Sequence, residues 1–418
     1  MSNSLNVLVV GAGGREHALV KAIASSPLLQ TLYALPGNEG MEQQCQLLSD
    51  DQSIVEHIIQ RAIDLVVFGP EQPLVDGEAE ACSKLCRVVG PSKAAAQLEG
   101  SKTFMKSLVR AAGVPSADYR QFNADQLEDA EQYIRDQGAP IVVKASGLAA
   151  GKGVVVAQTV EDALSAVRAS LRDHAFGAAG EEIVIEECLE GPEISVFHLV
   201  KNGQATFLGA AQDHKRQLDG DLGPNTGGMG TFSPTPLWTS ALQHQVEQEI
   251  VKPTLAALDD QDSPFDGFLF TGIMLTADGP KLLEFNVRMG DPETQSLLPL
   301  IQSDVLALLM NEDAGKSVDF NDSHAVTVVL AAPGYPVKPQ TGLPMPPLPM
   351  DTETVRFTVA GARRTEGSDA WISTGGRVLG VTGLGTTHQQ ARQRAYDAIV
   401  AYGWQAAQFR TDIGKQEE

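Results

Sequence analysis

The stretch Lys281-Leu282-Leu283-Glu284-Phe285-Asn286-Val287-Arg288 restricts the architecture of this chain more than any other. From Leu282 to Val287 apolar and polar residues alternate, which predicts a strand with two unlike faces. Successive side chains on a strand point to opposite sides. Glu284, Asn286 and Arg288 therefore share one face, about 7 Å from one to the next. Leu283, Phe285 and Val287 are expected on the other face, filling a core. A carboxylate and an amide oxygen in line suit a hard divalent cation, which takes oxygen ligands. An Arg one step further can hold a phosphoryl oxygen in a two-pronged contact. Gly290 and Pro292 end the strand. The alternative is a half-exposed strand whose outward residues are polar and bind nothing. A nucleotide site elsewhere in the chain separates the two readings.

Three stretches bear on that. Ile141–Ala145 and Val154–Ala157 read as strands joined by Ser146-Gly147-Leu148-Ala149-Ala150-Gly151-Lys152-Gly153. A helix-opening phosphate loop needs four residues between its glycines and a Ser or Thr after its Lys. Here three residues separate Gly147 from Gly151, and Gly153 follows Lys152. The segment is instead a glycine-rich hairpin tip whose amides can close over a triphosphate. Lys144 lies inside an apolar strand, where a buried lysine requires an anionic partner. Ser101 can cap a helix that ends at Gly113-Val114-Pro115. Lys102 falls in its first turn, an unfavourable place for a cation, which points to another duty. The strand Glu182–Glu187 runs into a linker ending at Gly191-Pro192-Glu193. Exposed backbone groups of such a linker can pair with an adenine edge, and Glu193 can reach ribose hydroxyls; a solvated acidic strand end is the alternative.

The N-terminal hundred residues alternate strands and helices, which predicts a parallel sheet. Val7–Val10 leads into Gly11-Ala12-Gly13-Gly14-Arg15-Glu16-His17, a glycine turn opening a helix, where free backbone N–H groups make an anion site. Gly11 and Gly13 fit the dinucleotide fingerprint, but Glu16 stands at its third glycine. The strand Thr31–Leu35 ends in Pro36-Gly37-Asn38 without the acidic residue that holds an adenosine ribose. Both misses argue against NAD or FAD and leave a smaller phosphate, or a bare turn. Glu71 follows the strand Asp64–Phe68 at the edge where α/β sheets bind ligands, and is a candidate contact for a hydroxyl or amine.

Further on, the strand Ala205–Ala211 leads through Asp213-His214-Lys215-Arg216 into a glycine-rich loop reaching Gly230, long enough to be functional or disordered. A helix is expected over Pro236–Leu258, and a strand over Phe268–Leu275 as hairpin partner of 281–288. Past Asn311 the pattern restarts with the strand His324–Ala331, a proline-rich stretch, short strands and a helix over His388–Tyr402.

With 418 residues, two to four domains are expected. The formal charge of −22 disfavours nucleic acid. No apolar run reaches the ~18 residues of a membrane span, and Met1–Asn6 lacks the basic region of a signal peptide. A cytoplasmic protein without membrane contacts is expected. Cys45, Cys82, Cys86 and Cys188 are too few for a disulfide framework and read as free thiols rather than zinc ligands.

Taken together, a glycine hairpin with two lysines, the hinge Glu186-Glu187-Cys188-Leu189 and the Glu-x-Asn-x-Arg strand resemble the ATP-grasp superfamily. Gly13–Ala18, Pro36–Asn38, Gly147–Gly153, Asp213–Arg216, Gly223–Gly230, Gly290–Gln295 and Arg410–Gly414 resemble the phosphoribosylamine–glycine ligase family, across essentially the whole chain. The resemblance implies an α/β and α+β multidomain protein. A doubly wound parallel sheet would occupy residues 1–100 and an ATP-grasp domain residues 101–122 and 190–323. A small lid domain would span 123–189, and an α+β cap domain 324–418.

The implied reaction joins glycine to 5-phosphoribosylamine, with ATP giving ADP and phosphate through a glycyl phosphate, in purine synthesis. Mg²⁺ or Mn²⁺ would sit on Glu284 and Asn286. Arg288, Asp213 and Lys215 would be catalytic. Lys102, Lys144, Gly151, Lys152, Gly153, Glu186, Glu187, Leu189 and Glu193 would bind ATP. Gly13, Gly14, Arg15, Asn38 and Glu71 would bind phosphoribosylamine. Partners are expected to be these small molecules alone, with a monomeric chain. Ser146 stands where the family pattern has Asp. The rival readings are another ATP-grasp carboxylate–amine ligase and a nucleotide-binding sensor without turnover.

Overall fold

The structure is a computed structural model describing residues 4–149, 153–310, 317–365 and 367–415. The N-terminal sheet has five parallel strands in the spatial order Gln46–Leu47, Leu29–Pro36, Leu5–Gly11, Leu65–Phe68 and Arg87–Val89. Its central strand carries Val7, Leu8 and Val9, all fully buried, as helices covering both faces require. The order reverses at Leu5–Gly11, so the loops after Gly11 and Phe68 open at a switch point, where such sheets bind ligands.

A four-stranded antiparallel sheet forms the lid, in the order Tyr119–Asn123, Glu182–Glu187, Ile141–Ala145 and Val154–Ala157. The helices Leu127–Gln137 and Val160–Val167 pack on it around Phe122, Ile134, Ile141, Leu164 and Ile183. The Thr159 hydroxyl caps the second helix by accepting the Asp162 N–H. Tyr119–Asn123 runs across residue 122, so the lid sheet takes a strand from before the boundary drawn there from sequence.

The largest sheet has eight antiparallel strands: Gly279–Asn286, Gly267–Thr276, Glu193–Lys201, Gln204–Asp213, Gly230–Ser233, His324–Ala331, Arg377–Gly385 and Val355–Val359. Its last three strands belong to the region read as a cap. Gly230–Ser233 pairs with His324–Ala331, so sheet hydrogen bonding passes without a break from the central region into the C-terminal one. The helix His388–Tyr402 covers that end, capped by Thr387. Among the described residues no helix is long and apolar enough to cross a membrane.

Three expectations need correction. The strand bearing Glu284 contains a β-bulge: Gly272 pairs with Glu284 but Ile273 pairs with Leu282, so Leu283 is the extra residue. The parity of the strand changes there, and Leu282 rather than Leu283 joins Phe285 and Val287 in the core. Regular pairing also ends at Asn286, before Arg288. The helix expected from Pro236 starts at Ser240, because the Thr239 side chain caps it by accepting the Leu242 N–H. The stretch 213–230 is neither disordered nor an open loop. Arg216–Leu218 pairs with Leu222–Asn225, and the C-terminal segment grips this hairpin: Arg410 Nη1 donates to Asp221 Oδ1 at 2.6 Å and the Thr411 N–H to Asp219 at 2.8 Å.

Candidate active site

Glu284 lies at the focus of four cations. Burial works against its charge, but Lys215, Lys144, Lys102 and Arg288 together hold the carboxyl below its ordinary range. They come from four separate elements: the segment after Gln204–Asp213, the lid strand Ile141–Ala145, the start of the helix Lys102–Ala111, and the end of the Glu284 strand itself. No hydrogen bond or ion pair within 4.0 Å occupies the Glu284 carboxylate among the described residues. Asn286 shares its face, and the Asn286 Oδ1 accepts from Arg288 Nη2 at 3.1 Å.

Lys144 is buried, and its Nζ lies 2.8 Å from Glu186 Oε2 and 3.3 Å from the Leu283 carbonyl. Burial opposes its charge, yet Glu186 raises it above the usual lysine value. The other Glu186 oxygen faces the fully buried Lys106 at 3.4 Å. Lys102 is lowered by burial, with Glu284 acting in the opposite direction. The Lys102 N–H donates to the Ser146 carbonyl at 2.8 Å, and the Ser146 hydroxyl accepts the Thr103 N–H at 3.2 Å. Ser146 thus ties the base of the glycine hairpin to the helix bearing Lys102. Gly151 and Lys152 lie outside the described residues; Gly153 opens the strand Val154–Ala157, with its carbonyl accepting the Ala145 N–H at 2.7 Å.

Arg288 is clamped by two carboxylates, with Nε 3.2 Å from Glu71 and Nη2 2.9 Å from Glu99. Burial pushes the Glu99 carboxyl up to about 7. Arg288 and Arg15 lower Glu71 against the effect of its burial. Asp213 is likewise pushed up to about 7 by burial, despite Lys215 nearby. Burial also raises Glu293 on the helix Glu293–Leu297. Lys215 is half-buried; desolvation works against its charge, but Asp213 and Glu193, the latter 2.7 Å away, hold it well above the lysine range. Asp213, Lys215, Glu193 and Glu293 are therefore one group beside Glu284.

The hinge Cys188–Pro192 belongs to no strand and joins the lid sheet to the eight-stranded sheet. Glu187 is pinned at its root: its N–H donates to the Asp118 carbonyl at 2.9 Å and its carboxylate accepts from Lys281 at 3.1 Å. Leu189 is half-buried in the open part of this linker.

At the switch point of the N-terminal sheet, the glycine turn holds an internal anion. The Glu16 carboxylate accepts the Gly13 N–H at 2.6 Å and pairs with Arg15 Nε at 2.5 Å. Its methylene group passes so near Gly11, which has φ +120°, that a side chain there would collide at 2.6 Å. The carboxylate at the third fingerprint position takes the Gly13 N–H, which is therefore not free for a ligand. Gly14 abuts Gln295, whose Nε2 a Cβ would meet at 2.7 Å. Arg15 reaches the Met289 carbonyl with Nη1 at 3.1 Å, connecting this turn to Arg288. The Asn38 amide donates to the Ala12 and Val359 carbonyls and its oxygen accepts the Gly40 N–H, so its side chain fastens the turn to the C-terminal region.

The site fits a divalent cation in one specific sense. Among the described residues no group of three or more His, Cys, Asp or Glu side chains could hold a metal. Glu284 offers an open carboxylate near Lys102, Lys144 and Lys215, and Asn286 an amide oxygen that already accepts from Arg288 and has one further lone pair for a cation. Mg²⁺ is commonly held by one or two carboxylates completed by substrate phosphates and water, not by a full protein cage.

Four residues of the site escape the sequence reading: Glu16, Glu99, Glu293 and Arg377. Arg377 Nη1 donates to the Gly227 and Asp291 carbonyls, both at 2.5 Å, and so brings the C-terminal region onto the site. The partners of Glu99, Glu293 and Arg377 are distant in sequence, whereas Glu16 holds its neighbours Gly13 and Arg15. Only Glu16, by its oddness at a glycine position, carries a local signal.

Known proteins resemble this chain along its length. Sequence profiles of the phosphoribosylglycinamide synthetase N domain, ATP-grasp (A) domain and C domain match residues 5–99, 100–294 and 325–416. The phosphoribosylamine–glycine ligase of Brucella melitensis is 46% identical over 98% of this chain and 97% of its own length. That of Agrobacterium fabrum is 45% identical over 99% and 98%. The crystal structure of phosphoribosylamine–glycine ligase from Thermotoga maritima superposes with a TM-score of 0.85 at 30% identity, covering 98% of this chain and all (100%) of that one. The biotin carboxylase domain of a Hydrogenobacter thermophilus 2-oxoglutarate carboxylase, solved with MgADP, shares the fold at a TM-score of 0.73 and 18% identity, over 96% of this chain and 91% of that one.

Proposed function

The chain belongs to the phosphoribosylglycinamide synthetase family, and we propose on that premise that it ligates glycine to 5-phosphoribosylamine at the expense of ATP, forming glycinamide ribonucleotide, ADP and phosphate. The observation that carries this reading is the open Glu284 carboxylate ringed by Lys102, Lys144, Lys215 and Arg288. Such an array suits a triphosphate.

A carboxylate is a poor electrophile. Transfer of the γ-phosphoryl group to a glycine carboxylate oxygen forms a P–O bond there, breaks the bond to the β-phosphate and releases ADP. The resulting glycyl phosphate has a leaving group. The amine of phosphoribosylamine then forms the C–N bond, inorganic phosphate departs and the amine loses a proton. Little covalent chemistry is required of the protein in the first step, so positioning and charge stabilisation dominate.

Lys102 and Lys144 hold the phosphates, and Arg288 meets the group in flight. Mg²⁺ or Mn²⁺ held by Glu284 and Asn286 would neutralise phosphoryl charge. Adenine lies against the Glu187–Leu189 backbone, with Glu186 behind Lys144 and Glu193 within reach of the ribose. The glycine hairpin, with Gly151, Lys152 and Gly153, closes over the phosphates and excludes water. Asp213 and Glu293, next to Lys215, are the acidic pair suited to an amine. Phosphoribosylamine binds at the switch point, between Gly13, Gly14, Arg15 and Asn38 on one side and Glu71 on the other. Since the Gly13 N–H and the Asn38 side chain are engaged internally, these two residues shape the pocket with their backbone.

An ADP-release assay with each substrate omitted in turn tests the proposal. ADP should form only when ATP, glycine and phosphoribosylamine are all present. Equal turnover with an unrelated amine would overturn it.

A further inference from the structure

Glu99 lies in the short helix Gln97–Gly100, directly before Ser101 and Lys102. Its side chain is buried, and each oxygen has a separate task. Oε1 stands 2.9 Å from Arg288 Nη2, and Oε2 accepts the Val287 N–H at 2.8 Å. Val287 is the first residue past the regular strand, where sheet pairing no longer fixes the backbone. The same few residues reach the opposite way. The Lys102 N–H holds the Ser146 carbonyl, and Thr103 Oγ1 donates to Glu182 Oε2 at 2.8 Å. Residues 99–103 thus span from the end of the Glu284 strand to the base of the glycine hairpin.

A residue kept only for packing at such a buried place would be apolar, since a buried charge is unfavourable unless paired. Glu71 also contacts Arg288, but it is much the more exposed of the two carboxylates, with 29% of its side chain accessible against 7% for Glu99. Glu71 meets the guanidinium at Nε, while Nη2 is shared between Glu99 and the neutral Asn286 Oδ1 at 3.1 Å and Nη1 reaches the Met289 carbonyl at 3.3 Å, so Glu99 is the one carboxylate at the Nη2 end.

We propose that Glu99 is a positioning residue for phosphoryl transfer: its carboxylate fixes Arg288 and the end of the Glu284 strand relative to Lys102, so that guanidinium and ammonium address one phosphoryl group. The inference rests on the ligase reading above. Arg288 set loose still carries its charge and still allows ATP to bind, but it no longer meets the transferring group.

The experiment compares the full-length chain with Glu99→Gln and Glu99→Asp, measuring kcat, the Kd for ATP by calorimetry, and Tm. Glu99→Gln should lower kcat by about tenfold to a hundredfold, as small misplacements do, while the ATP Kd stays within about twofold. Wild-type kcat in Glu99→Gln overturns the inference, as does an equal loss of turnover and ATP affinity. Should the glutamine variant not fold, Glu99→Asp decides. Its shorter carboxylate cannot span both contacts, so reduced kcat at unchanged Kd is expected and wild-type kcat again overturns. A wild-type chain that forms no ADP with all three substrates overturns the ligase reading itself, so the two failures are distinguishable.

Discussion

Lys144 and Glu186 meet at 2.8 Å inside the lid sheet, and the single carboxylate of Glu186 also faces Lys106 at 3.4 Å. One anion thus serves two buried ammonium groups, an arrangement one negative charge short. Removing Glu186 leaves both lysines uncompensated. Glu186→Gln should lower unfolding stability by about 3–5 kcal/mol, the usual cost of breaking a buried pair from one side, as measured in denaturant. The variant should also gain more in Tm from saturating ATP than the wild type does, because the nucleotide supplies the missing charge.

Arg288→Ala should lower kcat by about a hundredfold to a thousandfold, as the loss of one transition-state charge contact does, with a far smaller effect on ATP affinity. Arg288→Lys should not rescue it. A lysine cannot reach Glu71, Glu99 and Asn286 at once, as the guanidinium does. Equal losses in turnover and affinity would make Arg288 a binding residue.

Asp213 titrates near 7 in the fold, according to its burial, against about 4 in an unfolded chain. A carboxyl raised in this way contributes most to stability below the unfolded value, and that contribution is lost as pH rises through about 7. Asp213→Asn should therefore gain Tm relative to wild type between pH 5 and pH 8. If the ionised form is the one that receives the amine, wild-type kcat/KM for glycine rises with pH through about 7, and Asp213→Asn flattens that limb. Glu99 is also pushed up to about 7, so a limb that persists in Asp213→Asn but disappears in Glu99→Gln belongs to Glu99.

Glu16→Gly would restore a dinucleotide fingerprint on paper. In the fold it removes the acceptor of the Gly13 N–H and the partner of Arg15. A loss of about 1–3 kcal/mol in stability is expected from the unpaired buried groups, with no gain of NAD binding in a fluorescence titration.

Much of the architecture could be read from local pattern. The N-terminal strands, the lid hairpin and the helix His388–Tyr402 have the periodicity and end signals of their elements, and those signals depend on neighbours in sequence. The face carrying Glu284, Asn286 and Arg288 was readable for the same reason. The bulge at Leu283 was not, because alternation on one strand says nothing of how its partner, Gly267–Thr276, counts residues. Glu99 and Arg377 were missed on similar grounds. Each acts on residues far away in the chain, and an isolated Glu or Arg next to a turn has many uses. Asn38 shows the converse: a residue that marks the family pattern spends its side chain on joining two parts of the fold.

The C-terminal strands finish the sheet that begins beside Glu284, with Gly230–Ser233 hydrogen-bonded directly to His324–Ala331. A chain truncated before His324 would lay bare the N–H and C=O groups along one margin of Gly230–Ser233, an invitation to intermolecular strand pairing and precipitation. It would also remove Arg377 and Arg410 from the loops they hold. For this chain the C-terminal hundred residues are not a detachable accessory, and a catalytic core trimmed of them should be recovered as aggregate.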